Sequence, residues 1–254
     1  MIDLIVFSVS QNRYAMNIEN VQRIIEAKEL TKIPNTHEYI DGMMSYEEKV
    51  IKVLNFRKLI GMETYENELY SLFQSLKVSH AEWVETLKHS LETGYKFSKT
   101  LDPHACGLGK WIDSFTAYDD HVVSVLNNLI EHHKQLHLTG GVALDIYKKD
   151  PKEAMRIFNE DIAKIYDHTM GALDKFINEL EFVGNALQKL LIYDTNGVVF
   201  AIKVDTIEDI AHIEEDSFIN AGDENSMSDF LELEGVLDLD DVLINVIKTV
   251  KLPK

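Results

Sequence analysis

The pattern of apolar and polar positions changes twice along the chain. Up to about residue 63, β-branched and aromatic runs such as residues 4–9 and 50–54 are separated by turn residues. Pro34 lies between these runs, and a proline removes a backbone donor and biases the preceding residue toward extended geometry. The first part is therefore predicted to consist of β-strands.

Between about residues 64 and 187, apolar residues recur every three or four positions, which places them on one face of a helix. Three long seams of this kind and a short helix near residues 107–115 predict an antiparallel four-helix bundle. Asp150 and Pro151 have the cap and first-turn signals of the last long helix. The seam of the second long helix contains Val122, Leu126, Leu129, His133, His137, Gly140 and Leu144.

From about residue 188 the extended pattern returns, and Asn196-Gly197 between two apolar runs predicts a β-hairpin. The expected division is therefore residues 1–63, 64–187 and 188–254. Three separate domains, or one β domain interrupted by a bundle, both agree with this pattern. Because a helix bundle can bring its own ends together, the insertion is physically easy.

The net charge of the chain limits the kinds of molecule that it can bind. The 254 residues include 25 Lys plus Arg and 43 Asp plus Glu, a net charge of −18, which argues against binding to nucleic-acid phosphates. The last 67 residues contain 15 acidic residues and 5 lysines. A solvated acidic face and a docking surface for a basic partner are both open interpretations of that region.

Three features predict a soluble cytoplasmic protein. Cys106 is the single cysteine, so the chain cannot form an internal disulfide and suits a reducing compartment. The first residues include Asp3 where a signal peptide would have a basic residue. No apolar run approaches the roughly 18 residues needed to cross a bilayer.

Two histidines on the second long helix are the first candidates for chemistry. His133 and His137 are four residues apart, so both imidazoles lie on one helix face and can bind one metal ion. They lie on the apolar seam, where an imidazole without a partner is costly. His80 lies on the seam of the first long helix, and Cys106 is followed by Gly107 and Gly109. Three histidines and a cysteine form a closed tetrahedral set that suits Zn²⁺.

Simpler interpretations exist for each of these residues. A histidine pair four apart is common on helices, and a single cysteine is often a small inert hydrophobic residue. His104 is close enough to Cys106 in sequence to be a rival ligand. The other histidines fit the seams less well: His89, His121, His132 and His168.

A resemblance to a known family adds to this interpretation. The segments 80–83, 106–111 and 133–137 contain a histidine with an aromatic three residues later, a Cys-x-apolar-Gly-x-aromatic motif and a His-xxx-His pair. This order resembles the chemoreceptor zinc-binding (CZB) domain, whose three histidines and cysteine ligate zinc inside a four-helix bundle. The resemblance implies that His80, Cys106, His133 and His137 are the zinc ligands.

The flanking β segments are similar to a CheW-type chemotaxis coupling domain, a pair of small SH3-like β-barrels. The matching segments are residues 4–9, 13–21, 33–36, 39–42, 53–57, 197–205 and 231–246. The implied fold class is α+β, a double SH3-like β-barrel domain with an inserted four-helix bundle. The implied partners are a histidine kinase and the cytoplasmic tips of chemoreceptors.

One position departs from the CheW pattern. Family members commonly have an Asn-Leu-Arg-Gly stretch whose Arg contacts receptor or kinase, whereas this chain has Ser45, Tyr46, Glu47 and Glu48. A reversed charge at Glu47 should repel the usual partner surface. The coupling function is therefore expected with a weakened or changed partner. A homodimer through the bundle is also left open.

The site suits a sensor better than an enzyme. Four protein ligands leave no open position for a catalytic water, and the residue after His133 is Lys134 rather than a glutamate base. No phosphate loop, nucleophile elbow or catalytic triad pattern is present. We expect an adaptor whose zinc site responds to oxidant at Cys106 or to labile zinc, a permanent structural zinc being the third possibility. The alternative function is a zinc-binding or zinc-buffering module whose β domain has lost or changed its array partner.

Overall fold

The structure is a computed structural model that describes residues 1–27, 29–115, 119–214, 217, 219–220, 226–239 and 241–253. The chain divides into two compact units. We call Met1–Tyr65 together with Gly184–Lys254 the β unit, and Glu66–Val183 the helical unit. The β unit is thus built from both ends of the chain, and the helical unit is one continuous segment between them.

Twelve strands are seen among the residues described for the β unit. They are β1 Ile2–Val9, β2 Asn12–Asn17, β3 Val21–Glu26, β4 Ile40–Tyr46, β5 Lys49–Asn55, β6 Lys189–Thr195, β7 Val198–Val204, β8 Thr206–Ile213, β9 Ile219–Asn220, β10 Ser226–Ser228, β11 Leu231–Leu239 and β12 Val242–Val250. One sheet has the order β10-β11-β12-β2-β1-β8, with β9 also pairing β11, and the other has the order β3-β6-β7-β5-β4. Each sheet combines strands from before and after the helical unit.

Local turn chemistry explains the pairing of β6 with β7. Asn196 and Gly197 both have positive φ, of 53° and 82°, as the tight hairpin turn between the strands requires. Thr195 therefore faces Val198, and the antiparallel register continues to Lys189 opposite Val204. The hairpin predicted from the Asn-Gly pair is present.

The two sheets share one apolar core. Phe7 of β1 and Tyr14 of β2 pack on Phe56, with ring centroids 5.2 and 4.9 Å from it. Leu191 and Phe200 of the second sheet are fully buried in the same cluster. Alternation along each strand supplies these side chains, because every second residue faces inward.

The helices are α1 Phe56–Leu59, α2 Tyr65–Thr93, α3 Gly107–Ser114, α4 Asp120–Tyr147, α5 Pro151–Ile157, α6 Ala163–Asn178 and α7 Leu180–Leu187. A short 3₁₀ turn, Ile18–Asn20, follows β2. A five-residue π-helical turn, Phe158–Ile162, joins α5 to α6 without a break in the helical path. The predicted last long helix is thus α5, the π turn and α6, and it begins as expected with Asp150 accepting from the Lys152 and Glu153 amides.

The predicted seams form the core of the helical unit. Trp83, Leu87 and Leu91 of α2 pack in one cluster with Leu136 of α4 and Phe158. The predicted α+β class is confirmed, with two sheets in one unit and helices in the other. None of the helices in the described part of the chain has both the length and the apolar character needed to cross a bilayer.

Candidate metal centre

The structure brings the four predicted ligand residues together inside the helical unit. One potential ligand atom from each of His80, Cys106, His133 and His137 lies within 4.8 Å of the others. His80 is on α2, Cys106 is the residue that caps α3, and the other two are on α4. The cluster therefore joins three helices that are separate in sequence.

His80 has one ring nitrogen fixed by the backbone and one turned toward the cluster. Its side chain is buried, and Nδ1 lies 2.8 Å from the Leu76 carbonyl oxygen, one turn earlier on α2. A carbonyl can only accept, so Nδ1 carries the proton and donates it. The lone pair is then on Nε2, which lies 4.0 Å from the Cys106 sulfur. Such a hydrogen bond is the usual way in which a protein orients a metal-binding imidazole.

His133 and His137 complete the imidazole cluster from one face of α4. The His133 ring lies 5.1 Å from that of His80 and 4.8 Å from that of His137, centroid to centroid. His133 Nε2 is 3.1 Å from the Cys106 sulfur. Neither ring nitrogen of His137 has a hydrogen-bond partner among the described residues, although both are buried. Orphaned polar atoms of this kind are rare and need an explanation, such as an ion.

Cys106 is both a member of the cluster and the N-cap of α3. Its sulfur accepts a hydrogen bond from the Gly109 amide at 3.3 Å and lies 3.4 Å from the Pro103 carbonyl oxygen. A Cβ at Gly109 would stand 1.8 Å from that carbonyl oxygen, so only glycine allows this turn. The amide and the positive end of the helix dipole favour negative charge on the sulfur.

Trp83 packs behind the cluster, a role that the seam pattern did not single out. Its ring lies 4.8 Å from that of His137, and its indole nitrogen donates to the Thr100 carbonyl at 2.7 Å. Gly140, one turn after His137, makes room for it, because a Cβ there would come within 2.4 Å of the indole. Two features of the sequence could have predicted this packing: the aromatic residue three positions after His80 and the small residue on the α4 seam.

Burial sets the protonation of the cluster. It lowers the pKa of His133 to about 3, with the nearby His80, His137 and His104 adding to the shift. It also lowers the pKa of His137 to about 4. The nearby backbone of Thr100 and Leu101 acts in the opposite direction and raises this pKa, but it forms no well-aligned hydrogen bond with the ring. The pKa of His80 is lowered for the same reason. All three imidazoles are therefore neutral near pH 7, the form that binds a metal.

Burial also raises the pKa of the Cys106 thiol, and the Gly109 amide only partly offsets this. The free thiol is then protonated near neutral pH, although thiolate is the form that binds metal. Binding of a cation would have to displace this proton. The cluster thus has three ready ligands and one that depends on pH.

The donor set and its spacing fit Zn²⁺. Nitrogen and sulfur ligands at about 2.0–2.3 Å from one zinc ion lie about 3.3–3.8 Å from each other. The distances from the Cys106 sulfur to His133 Nε2 and His80 Nε2, 3.1 and 4.0 Å, bracket that range. Soft sulfur with imidazole nitrogen favours zinc over calcium or magnesium.

The rival histidines lie elsewhere. His104 is exposed and pairs with Asp113 at 3.0 Å, so it is not in the cluster. His121 pairs with Glu179, and His89 stacks on Tyr95. The remaining two, His132 and His168, face each other with ring centroids 5.3 Å apart.

Glu47 lies at the tip of the β4–β5 hairpin. Both Glu47 and Glu48 have positive φ, of 46° and 63°, which is uncommon outside glycine and asparagine. The Glu47 side chain is exposed, and its nearest cation is Arg23 at 3.9 Å. The tip thus presents two carboxylates to solvent.

The acidic C-terminal region is only partly described. Glu215, Asp216, Asp223, Glu224 and Asp240 lie outside the described residues. Of the others, Glu208 pairs with Arg13 at 2.7 Å and Glu232 with Lys248 at 2.7 Å. These two carboxylates therefore have cationic partners within the chain.

Comparison with known proteins gives two family matches. The CheW-like domain matches residues 3–77, and the chemoreceptor zinc-binding domain matches residues 80–144. The second match contains all four residues of the cluster.

Individual relatives are distant. The chain is similar to a chemotaxis protein CheW of Thermotoga maritima, 21% identical over 70 residues, which are 28% of this chain and 46% of that protein. It thus spans about half the length of that curated relative. A solved structure, the scaffolding protein TtCheW from Thermoanaerobacter tengcongensis, aligns over 98% of this chain and 90% of that one at 14% identity and a TM-score of 0.46. By the two family matches, residues 3–77 are a CheW-like domain match and residues 80–144 a chemoreceptor zinc-binding domain match.

Proposed function

We propose that the protein is a chemotaxis signal-transduction adaptor that carries its own zinc-binding sensor. In this proposal residues 1–63 and 188–254 form the CheW-type coupling domain, and residues 64–187 form the inserted sensor bundle. The coupling domain acts in the cytoplasm as a scaffold between chemoreceptors and a histidine kinase. The protein has no catalytic role in this scheme, and a dimer through the bundle is compatible with it.

One observation carries the sensor part. The ligand atoms of His80, Cys106, His133 and His137 converge within 4.8 Å, and His137 has no other hydrogen-bond partner among the described residues. A buried imidazole without a partner is costly, and a divalent cation bound by His137 together with the three neighbouring ligand atoms would offset that cost. We therefore assign all four as zinc ligands.

The residues also explain how such a site would respond. Zinc, when bound, holds Cys106 as a thiolate and links the three helices. A peroxide would be attacked by this sulfur: an S–O bond forms, the O–O bond breaks, and hydroxide leaves, so that Cys106 becomes a sulfenic acid. The oxidised sulfur is a poorer ligand and a poorer acceptor for the Gly109 amide. Both losses would loosen α3 from α2 and α4.

Zinc at the same site could have two other roles. Labile zinc could itself be the signal, in which case occupancy follows the free zinc concentration. A permanent structural zinc would instead exchange negligibly with a chelator. The partial exposure of Cys106 supports the oxidant response, because a chemical signal must reach the sulfur.

Glu47 supports a changed partner. Its carboxylate is exposed at the β4–β5 tip, beside Glu48, where CheW relatives commonly have a cation. The surface that meets it should therefore be basic. A second candidate function follows from the same residue: a zinc-binding or zinc-buffering module whose β domain no longer joins the array.

Metal analysis and a binding assay test the proposal. Purified wild type should contain about one zinc per chain, and His133→Ala should contain little. His132→Ala is the matched control, since its imidazole is next in sequence but outside the cluster. Binding to the purified kinase and a receptor-tip fragment is then measured with zinc, with chelator and after peroxide. A metal-free wild type overturns the sensor part, and binding to neither protein favours the buffering module.

A further inference from the structure

A buried ion pair lies in the β unit where the chain leaves it for the helical unit and returns. Arg57 of α1 and Asp205, next after β7, have side chains only 1% and 9% exposed. Arg57 Nε and Nη2 donate to the two carboxylate oxygens at 2.6–3.0 Å. A bidentate pair of this kind fixes the direction of both groups and tolerates little displacement.

The segment that leads from the β unit into α2 contacts Arg57. Nη1 of Arg57 donates to the Glu63 carbonyl at 3.3 Å. The guanidinium carbon lies 4.9 Å from the ring centroid of Tyr65, the first residue of α2. A displacement of the start of α2 therefore acts directly on the guanidinium.

The segment that leads from α7 back into the β unit contacts Asp205. Gln188 lies between α7 and β6, and its side-chain nitrogen donates to Asp205 Oδ1 at 3.0 Å. Its backbone amide donates to the Gly184 carbonyl at 3.1 Å, so it also belongs to the last turn of α7. Its side-chain oxygen is buried without a partner among the described residues, which is costly. Gln188 thus connects the last turn of α7 to the ion pair.

The same carboxylate reaches the other sheet. Asp205 Oδ2 accepts from the Ser10 amide at 2.8 Å, in the turn between β1 and β2. Ser10 has a φ of 53°, a conformation that a non-glycine residue adopts only where its surroundings hold it. One ion pair thus contacts the outgoing chain, the returning chain and a strained turn.

We propose that the Arg57–Asp205 pair is the coupling element through which a change in the helical unit reaches the β1–β2 turn. This inference rests on the proposed sensor function of the helical unit. A shift of either end of that unit moves one member of the pair, and the bidentate contact moves the other. The Ser10 amide then loses or gains its acceptor, so the turn changes its exposure.

Hydrogen exchange of the full chain tests this coupling. The exchange rate of peptides containing Ser10 is compared between zinc-loaded and chelated protein. Wild type should show about a tenfold difference. Gln188→Leu removes the bond to Asp205 together with the unpaired oxygen, so it should fold, bind zinc normally and lose most of the difference. Arg57→Lys is a second variant, since it keeps the charge but loses the bidentate contact.

The matched control is Asp41→Asn. Asp41 forms another buried ion pair of the β unit, with Lys203 at 2.6 Å, and it also pairs with Lys58 of α1 at 2.8 Å, so these pairs involve neither Arg57 nor Asp205. This variant should keep the wild-type difference. Unchanged exchange at Ser10 in wild type, or an equal change in Gln188→Leu, overturns the proposal.

A second perturbation separates this proposal from the proposed function. Leu87→Ala leaves a cavity in the core of the helical unit and loosens it without removing a ligand. If metal analysis shows no zinc, the sensor proposal fails, and the Ser10 peptides of Leu87→Ala still decide the coupling. Faster exchange there, absent in the double variant with Gln188→Leu, supports the coupling, and no change overturns it.

Discussion

The buried ion pairs of the β unit and the buried imidazole of His137 in the helical unit differ in whether the chain supplies their partners. In the β unit, the buried charges of Arg57 and Lys203 meet carboxylates at 2.6 Å, so their partners are supplied by the chain. In the helical unit, neither ring nitrogen of the buried His137 has a hydrogen-bond partner among the described residues. The first arrangement specifies a structure, whereas the second creates a demand for a ligand. This difference predicts that the two units respond differently to metal, mutation and pH.

The largest effect should come from removing zinc. Chelation should destabilise the helical unit by about 4 kcal/mol relative to protein with free zinc about a thousandfold above its Kd, because the ion binds only the folded cluster. The unfolding temperature of the β unit should change far less, because none of the four proposed ligands belongs to that unit. Thermal unfolding followed by helical circular dichroism and by hydrogen exchange distinguishes the units. Equal stabilisation of both units would contradict the contrast.

Breaking the buried Arg57–Asp205 pair should instead destabilise mainly the β unit. Arg57→Met leaves the Asp205 carboxylate buried without its cation, which should cost the β unit about 3 kcal/mol or more. Zinc affinity, measured by competition with a chromophoric chelator, should change by no more than about tenfold, the size of the coupling proposed above. Lys148→Met, on an exposed pair with Asp145, is the control and should leave stability essentially unchanged.

Crowding the support of the cluster should give a smaller effect. Gly140→Ala places a methyl group within 2.4 Å of the Trp83 ring, so the ring must shift from its present packing against His137. We expect a loss of about 2 kcal/mol in the helical unit together with weaker zinc binding. Gly171→Ala on α6, where a Cβ meets nothing within 4 Å, is the matched control. Equal zinc affinity in the two variants would exclude Trp83 as a support of the site.

The smallest effect concerns protons. The pKa of His133 is lowered to about 3 and that of His137 to about 4, so neither imidazole must lose a proton near pH 7. The pKa of the Cys106 thiol is raised, so binding should release about one proton. Zinc affinity should then rise about tenfold per pH unit between pH 6 and 8. Calorimetry in buffers of different ionisation enthalpy measures the release, and Cys106→Ala should abolish it.

Much of the fold follows from local sequence. The three- and four-residue spacing predicted α2 and α4, because one helix face must be buried. Asn196-Gly197 predicted the β6–β7 turn, and Asp150-Pro151 the start of α5. The π turn at Phe158–Ile162 was not predicted, since a five-residue bonding pattern leaves no clear mark in apolar spacing.

The candidate site was predicted in part. His133 and His137 could be paired by spacing alone, because one helix carries both. The choice of Cys106 over His104 came from the resemblance to the CZB domain, and the structure places His104 outside the cluster. Zinc binding itself stays a prediction. The support by Trp83 and Gly140 depends on two helices meeting, which spacing within either helix does not specify.

The amino-acid sequence by itself determined which segments are strands and helices, which helix faces are apolar, and that three histidines and a cysteine were available as ligands. These are local properties, fixed by side-chain period, caps and turns. Only the tertiary structure decided which donors converge and which buried groups find partners in the chain. The Arg57–Asp205 pair joins residues 148 apart, and the cluster joins three helices, so both depend on long-range packing.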